Sequence, residues 1–281
     1  LNVLLDVLAY NTHYNAMYTN LAVNEMFLDS ASKRDSVISI ANNYGYLPTS
    51  RTAASAQISL SIPIGSNTSR TLSLPKYSPF SATVAGVTYN FYNILESIGV
   101  RNESTGNYDF AAVNIYEGTP VVERFNILDS SKIILQNQHI DVSTIKVSVQ
   151  DPTSLLSSSY KYAEKVITLT STSEVFFVRE IENQLYQLYF GKDNLGKEPP
   201  VGSVVTVEYM VSHGADANGI KLFTYSGPSF GTVPVITVLQ TATGGRELET
   251  IDEIKYNVSH KYKVQDRAVT SNDYADIIKS N

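Results

Sequence analysis

Residues 57–65 read QISLSIPIG and place Ile58, Leu60, Ile62 and Ile64 at alternate positions. Alternate side chains of a strand lie on one face, so this spacing predicts a half-buried β-strand. It also marks a change of period. Upstream, apolar residues recur three and four apart; downstream, they recur two apart. The expected class is therefore α+β: an N-terminal long-helix pair, a β-rich middle of one or two small sheet or sandwich subdomains, and a short C-terminal helical segment.

Upstream, Leu1, Leu4, Leu5 and Leu8 have helical spacing, and Tyr10, Tyr14 and Tyr18 form an i, i+4, i+8 row. Met17 and Leu21 lie on an adjacent face, and Phe27 and Leu28 close the segment, a rod of roughly 40 Å at ~1.5 Å rise per residue. Asn11, Asn15, Asn20 and Asn24 stand between the apolar stripes. So wide an apolar belt predicts a bundle helix that meets other chains, through Leu4, Leu8, Tyr10, Tyr14, Met17, Tyr18 and Leu21. The competing reading is a helix folded wholly onto its own domain. Ser32 with Asp35 resembles a capping box that starts a second helix, with Val37, Ile38 and Ala41 as its buried face. Gly45 can end it, and Pro48 opposes its resumption.

Downstream, strands are expected around TLSL, VTYNFY, FAAVNIYEG, VVERFNI, KIILQ, TIKVSVQ, KVITLT, EVFFVREI, LYQLYF and SVVTVEYMV. The expected division is 1–57, an N-terminal helical bundle segment; 58–125 and 126–243, two β-rich subdomains; and 244–281, a helical segment leading into a further C-terminal region. Gly244–Gly245 reads as a flexible joint. Leu248, Ile251, Ile254 and Val258 then have helical spacing, and Thr270 with Asp273 reads as a capping box.

Composition narrows the function. Of 281 residues, 43% are hydrophobic, enough for a sizeable core. The net charge of -6 is diffuse, which argues against a nucleic-acid partner. The chain has no cysteine, so disulfides and thiolate chemistry are excluded. Its 19 Tyr suit both strands and protein interfaces. No apolar run approaches the ~20 residues of a membrane span. LNVLLDVLAY lacks the basic start of a signal peptide, and the chain reads as a fragment because it begins in mid-pattern without Met.

The most conspicuous motif is FGKDNLGKEPPVG, which sets Gly191, Gly196 and Lys197 at the spacing of a phosphate-binding loop. The required Ser or Thr after the lysine is Glu198, and Pro199 and Pro200 precede a strand rather than a helix. Without a helix N-terminus no dipole holds the phosphates, so a hairpin loop is the better reading. His13, His139, His213 and His260 show no metal-ligand spacing and read as surface or interface histidines. No G-x-S-x-G elbow occurs. Glu180 and Glu182, and Glu247 and Glu249, read as solvated acids or helix-dipole partners. The residues therefore point to no catalytic group, cofactor, metal or small-molecule substrate.

FGKDNLGKEPPVGSVVTVEYMVSHGADANGI resembles the loop-strand-loop signature of the baseplate J-like family of contractile-tailed phages. The resemblance runs through Phe190, Gly191, Asp193, Gly196, Pro200, Gly202, Tyr209, Gly214 and Asn218-Gly219. Lys192 stands where the family has its acidic residue, and Asp193 follows one place later. A second stretch, from Gly244 and Gly245 through Arg267, Ala268, Val269, Thr270, Asp273 and Tyr274, is similar to the family's Gly-Gly, helix, Arg-Ala-Val-Thr…Asp-Tyr segment. The front helix pair is most similar to the wedge subunits of T-even-type phages. The resemblance implies a non-enzymatic structural protein of the virion, assembled in the host cytoplasm into the tail baseplate. It implies pairing with a second copy, N-terminal helices bundled with other wedge proteins, and a shape change on host attachment that triggers sheath contraction. It also implies a further C-terminal region, beyond this chain, that helps close the inner ring. Nothing in it calls for a membrane or nucleic acid. The alternative from the residues alone is a virion or surface glycan-binding or hydrolase module, because a β-rich body with many Tyr can stack on sugars.

Overall fold

The computed structural model describes residues 2–65, 69–128, 132–154, 156–163 and 169–264. Helix α1 spans Asn2–Asn24 and α2 spans Arg34–Asn43. The strands follow as β1 (Ser55–Pro63), β2 (Thr71–Leu74), β3 (Pro79–Val84), β4 (Val87–Asn93), β5 (Ser97–Asn102) and β6 (Asn107–Glu117). Next come β7 (Thr119–Asn126), β8 (Lys132–Leu135), β9 (Ile140–Gln150), β10 (Ser157–Tyr162), β11 (Val175–Glu180), β12 (Tyr186–Phe190) and β13 (Val204–Val211). The chain closes with β14 (Thr224–Tyr225), β15 (Val235–Thr243) and α3 (Ile251–Val264). The molecule is thus β-rich with helices at its front and after its last strand, an α+β protein.

The chain divides into two compact units. One holds Leu1–Thr49, Arg179–Gln187 and Glu249–Asn281; the other holds Ser50–Val178 and Leu188–Leu248.

In the first unit α2 packs on α3. Val37, Ala41, Ile254 and Val258 are fully buried together with Ala31. Val37, Ile38 and Ala41 form the buried face that their spacing implies. The helix ends where expected: Gly45 takes φ 68°, its N–H donates to Asn42 O and the N–H of Tyr46 donates to Ala41 O. These two bonds make a Schellman close, which a left-handed glycine permits. The start differs from expectation. The residue before the helix is Lys33, with no side-chain cap. Ser32 instead donates its N–H and its hydroxyl to Glu25 Oε1 (2.9 and 2.6 Å). Glu25 thus takes the Ser32 N–H that the Asp35 carboxylate would accept in a capping box. The first helix is also shorter than the expected rod, ending at Asn24, with Phe27 and Leu28 in the turns beyond it.

The second unit holds one sheet and most of another. In the first, the order is β14-β3-β4-β6-β1-β15, and β5 links β2 to β6. Antiparallel β1 pairs with β6 on one side and β15 on the other. Ile58, Leu60 and Ile62 are buried as the alternation requires. Ile64 lies past the strand and is half-buried against the same core. Residues 219–225 touch both outer strands: Gly219 donates to Ala242 O in β15, and Thr224 and Tyr225 pair with Ser81 and Phe80 in β3. The sheet therefore curls around an apolar core that includes Phe80, Phe91, Tyr108 and Phe110.

The second sheet has the order β7-β13-β9-β10-β11-β12-β8. Its antiparallel centre is β13 between β7 and β9; β10 and β11 pair in parallel. Val147, Val149, Phe176, Leu188, Val205 and Val207 are buried along these strands. The strand expected at KVITLT lies largely outside the described residues.

Candidate assembly surface

Not one described residue of α1 is buried. Val3, Leu4, Val7, Leu8, Tyr10 and Tyr18 each expose more than half their surface, at 76, 73, 64, 59, 64 and 61%. Met17 is 54% and Leu21 is 38% exposed, and Tyr14 is half-buried among its own neighbours. A surface helix ordinarily has a polar face and a covered apolar stripe. This one has a single carboxylate, Asp6, between Asn2 and Asn24 and no Lys or Arg. All seven residues singled out from the sequence lie on this helix, on about half its circumference.

The same helix carries a finer pattern. Val3, Val7, Tyr10, Tyr14, Met17 and Leu21 follow one another at alternating steps of four and three. That is the spacing of a coiled-coil seam, sustained over three heptads. Val3 and Val7 complete it, and the spacing alone could have found them. The tyrosines stiffen the seam. Tyr10 donates its hydroxyl to Tyr14 (2.9 Å), and their rings lie 4.5 Å apart; Tyr14 and Tyr18 are 6.2 Å apart. The hydrogen bond to Tyr14 raises the pKa of the Tyr10 hydroxyl. Thr12 and Thr19 bond back to the carbonyls of Leu8 and Asn15, so they add nothing polar to the outer surface that a partner must satisfy.

The first unit is tied by buried charge. Arg34 donates Nε and Nη2 to the two oxygens of Glu180 (2.9 and 3.0 Å), and Nη1 to the carbonyl of Glu249. The Glu249 carboxylate accepts from Tyr46 Oη, the N–H of Thr49 and Asn257 Nδ2 (2.7 Å each at the closest). Glu180 is fully buried and Glu249 nearly so. This corrects the reading of these two acids as solvated or dipole partners. Burial pushes the Glu180 carboxyl up against the pull of Arg34. Burial, followed by the bond to Glu249, pushes the Tyr46 hydroxyl well above its ordinary range. Glu247, in contrast, pairs with Arg51 at 2.6 Å and is half-exposed.

The glycine-rich loop has no nucleotide geometry. After β12 it makes one 3-10 turn, Asp193–Leu195, and runs on into β13 without an α-helix. Nor is it a hairpin, because β12 and β13 are not neighbours in the sheet. It is a crossing connection, and its glycines are there for contact. A Cβ on Gly191 would stand 2.0 Å from the carbonyl oxygen of Leu195, and one on Gly196 would stand 2.9 Å from Val175. Lys197, the would-be phosphate ligand, pairs with Glu174 at 2.8 Å. Phe190 packs edge-on to Tyr160, 5.4 Å between centroids. Gly202 and Gly219 have φ of 88° and 83°, and Pro200 is exposed. Tyr209 is buried and donates to Glu123 (2.9 Å). Gly244 has φ 84°. Gly245 is not a loose joint: Asn218 brackets it with bonds to its N–H and carbonyl (2.9 and 2.8 Å), and a Cβ there would meet Gly214 O at 2.3 Å. Arg267, Thr270, Asp273 and Tyr274 lie outside the described residues.

Among the described residues no three His, Asp or Glu stand where they could hold a metal ion, and no helix is long and apolar enough to cross a membrane.

Two family descriptions match these regions. The helical domain of gp6-like baseplate wedge proteins matches residues 1–46, which hold α1 and α2. The third domain of bacteriophage baseplate wedge protein gp6 matches residues 121–211, which hold the second sheet from β7 to β13. Baseplate wedge protein gp6 of Enterobacteria phage T4 is 29% identical over 301 aligned positions, covering 98% of this chain and 44% of that protein. The chain thus spans less than half the length of this relative. Through its helical front, its second sheet and an alignment along nearly its whole length, the chain is shown to resemble the baseplate wedge subunits of T-even-type phages.

Proposed function

We propose that this chain is a structural part of a phage tail baseplate wedge, located in the virion, that assembles through α1. The observation that carries the proposal is a 23-residue helix with no buried residue, almost no charge and a continuous heptad seam. Leu4, Leu8, Tyr10, Tyr14, Met17, Tyr18 and Leu21, with Val3 and Val7, meet apolar helices there. The partners are a second copy of the chain and other proteins of the wedge. Burying such side chains contributes roughly 1.5–3 kcal/mol each, which must exceed an association cost of about 4–15 kcal/mol. Two copies meeting through the seam bury six such side chains each, so the burial outweighs the cost and self-association is expected. The similarity to a T4 baseplate wedge protein supports the structural role; a part in the baseplate rearrangement is a further reading that rests on the family resemblance alone.

The test is reconstitution with the other wedge proteins of the same virion. The parent chain is expected to enter a complex, and Tyr14→Glu/Met17→Glu is expected to stay out while keeping the parent's thermal midpoint. Equal incorporation of the variant contradicts the proposal.

A further inference from the structure

The strands are organised as two lobes, one to each sheet, and the chain passes between them twice. Strands β1–β6 with β14 and β15 make one lobe, and β7–β13 make the other. The passages are Glu117–Thr119 and the run that follows Val211. They lie side by side, because Thr119 pairs with Val211 at the start of β7. Each carries a left-handed glycine, Gly118 at φ 119° and Gly214 at φ 70°. A Cβ on Gly118 would stand 2.3 Å from the carbonyl oxygen of Val211. The Glu117 carboxylate, fully buried, binds the opposite strand. It accepts from Ser212 Oγ (2.9 Å) and the His213 N–H (3.1 Å), and its other oxygen bonds His213 Nδ1 (2.6 Å). The two passages are pinned into one crossing.

Away from the crossing the lobes are tied through polar groups. Among the described residues, the apolar cluster of the first lobe contains none from β7–β13. Ala53 N–H donates to Asp141 Oδ2 at 2.7 Å, and Val142 N–H donates to Ser50 Oγ at 3.0 Å. Farther out, Glu208 of β13 accepts from Lys76 Nζ and from Tyr77 Oη, and Lys146 Nζ reaches the carbonyl of Ile94 (3.3 Å). Tyr77 is left-handed at φ 62°, a conformation L-residues keep only when their surroundings impose it. Asn93 imposes it: its carbonyl oxygen accepts the Tyr77 N–H, and its side chain bonds Ser78 N–H and the carbonyls of Pro75 and Leu95. Interfaces of this polar kind permit relative motion, and a hinge needs only a few residues that can change φ and ψ.

We infer that the two lobes open and close about the pinned crossing at Glu117–Gly118 and Ser212–Gly214, with Glu208 and its partners Lys76 and Tyr77 as the clasp. Pinning two strands together suppresses twisting and leaves bending as the soft motion. The clasp side chains are about a third exposed, so salt weakens the ion pair. The motion is independent of assembly through α1.

The absence of native cysteine makes the test direct. Spin labels are placed on Val87→Cys, at the exposed start of β4, and on Lys192→Cys, in the exposed loop after β12. Distance distributions are then recorded by pulsed electron resonance on the full chain. One narrow distribution is expected at low salt. At high salt, and in Glu208→Gln at low salt, a second population displaced by more than ~2 Å is expected. An unchanged single distribution at high salt overturns the inference, and so does an unchanged one in a folded Glu208→Gln. If that variant fails to fold, the salt comparison on the parent decides alone.

Discussion

Arg34 is the residue on which the first unit depends. It neutralises a carboxylate, Glu180, that has no access to water. Removing one partner of a buried pair costs about 3–5 kcal/mol, because the other charge stays buried and unpaired. Arg34→Met is therefore expected to lower stability by ~3 kcal/mol, at the lower end since Arg34 keeps 15% exposure. Chemical denaturation measures it; a loss below ~1 kcal/mol contradicts the account. None of this is legible in the sequence. Glu180 finds Arg34 at a separation of 146 residues, and neither has a local signature. Glu25 is a different case. Its carboxylate, held by Ser32 and then by neighbouring donors, titrates at about 2. A depressed pKa means that its contribution is present above the ordinary carboxylate range, ~4.3, and is lost as pH falls through about 2. The Glu25 carboxyl resonance is expected to show that low midpoint, together with the Ser32 and Lys33 amides. A midpoint at the ordinary value contradicts it.

At the scale of elements, caps and glycines set the boundaries. The α3 start has a complete capping box: Thr250 N–H and Oγ1 donate to Glu253 (2.8 Å each), and Glu253 N–H donates to Thr250 Oγ1 (3.3 Å). Thr250→Ala is expected to cost ~1 kcal/mol, read from the thermal midpoint. Gly191→Ala is expected to cost more, on the order of 3 kcal/mol, because its Cβ would meet backbone that cannot swing aside. A stable, unperturbed Gly191→Ala protein contradicts the crossing-loop account. The strands with clean alternation, β1, β9 and β13 among them, were legible from period alone. Others were not, for visible reasons. In β5, SIGVRN, Gly99 looks like a breaker, yet a Cβ there would lie 2.4 Å from the Phe110 ring. In β10, SSSYKY offers only Tyr160 to the core. In β15, a register shift against β1 between Gln240 and Val238 interrupts the alternation. The capping box at Thr250 and Glu253 was there to be read, whereas the one expected at Ser32 yields to Glu25, a partner seven residues away.

For the whole molecule, what matters is which surface is left for others. Both units bury apolar cores of their own, and α1 contributes no side chain to either. Its helical character was plain in the sequence, and so was the width of its apolar belt; its complete exposure was not, because spacing alone does not say what covers a face. Light scattering on the full chain across a range of concentrations reads this surface. The molar mass is expected to rise above the 30.9 kDa monomer with concentration, and to stay at the monomer value in Tyr14→Glu/Met17→Glu. A parent chain that remains monomeric throughout, or a variant that associates just as well, would contradict it.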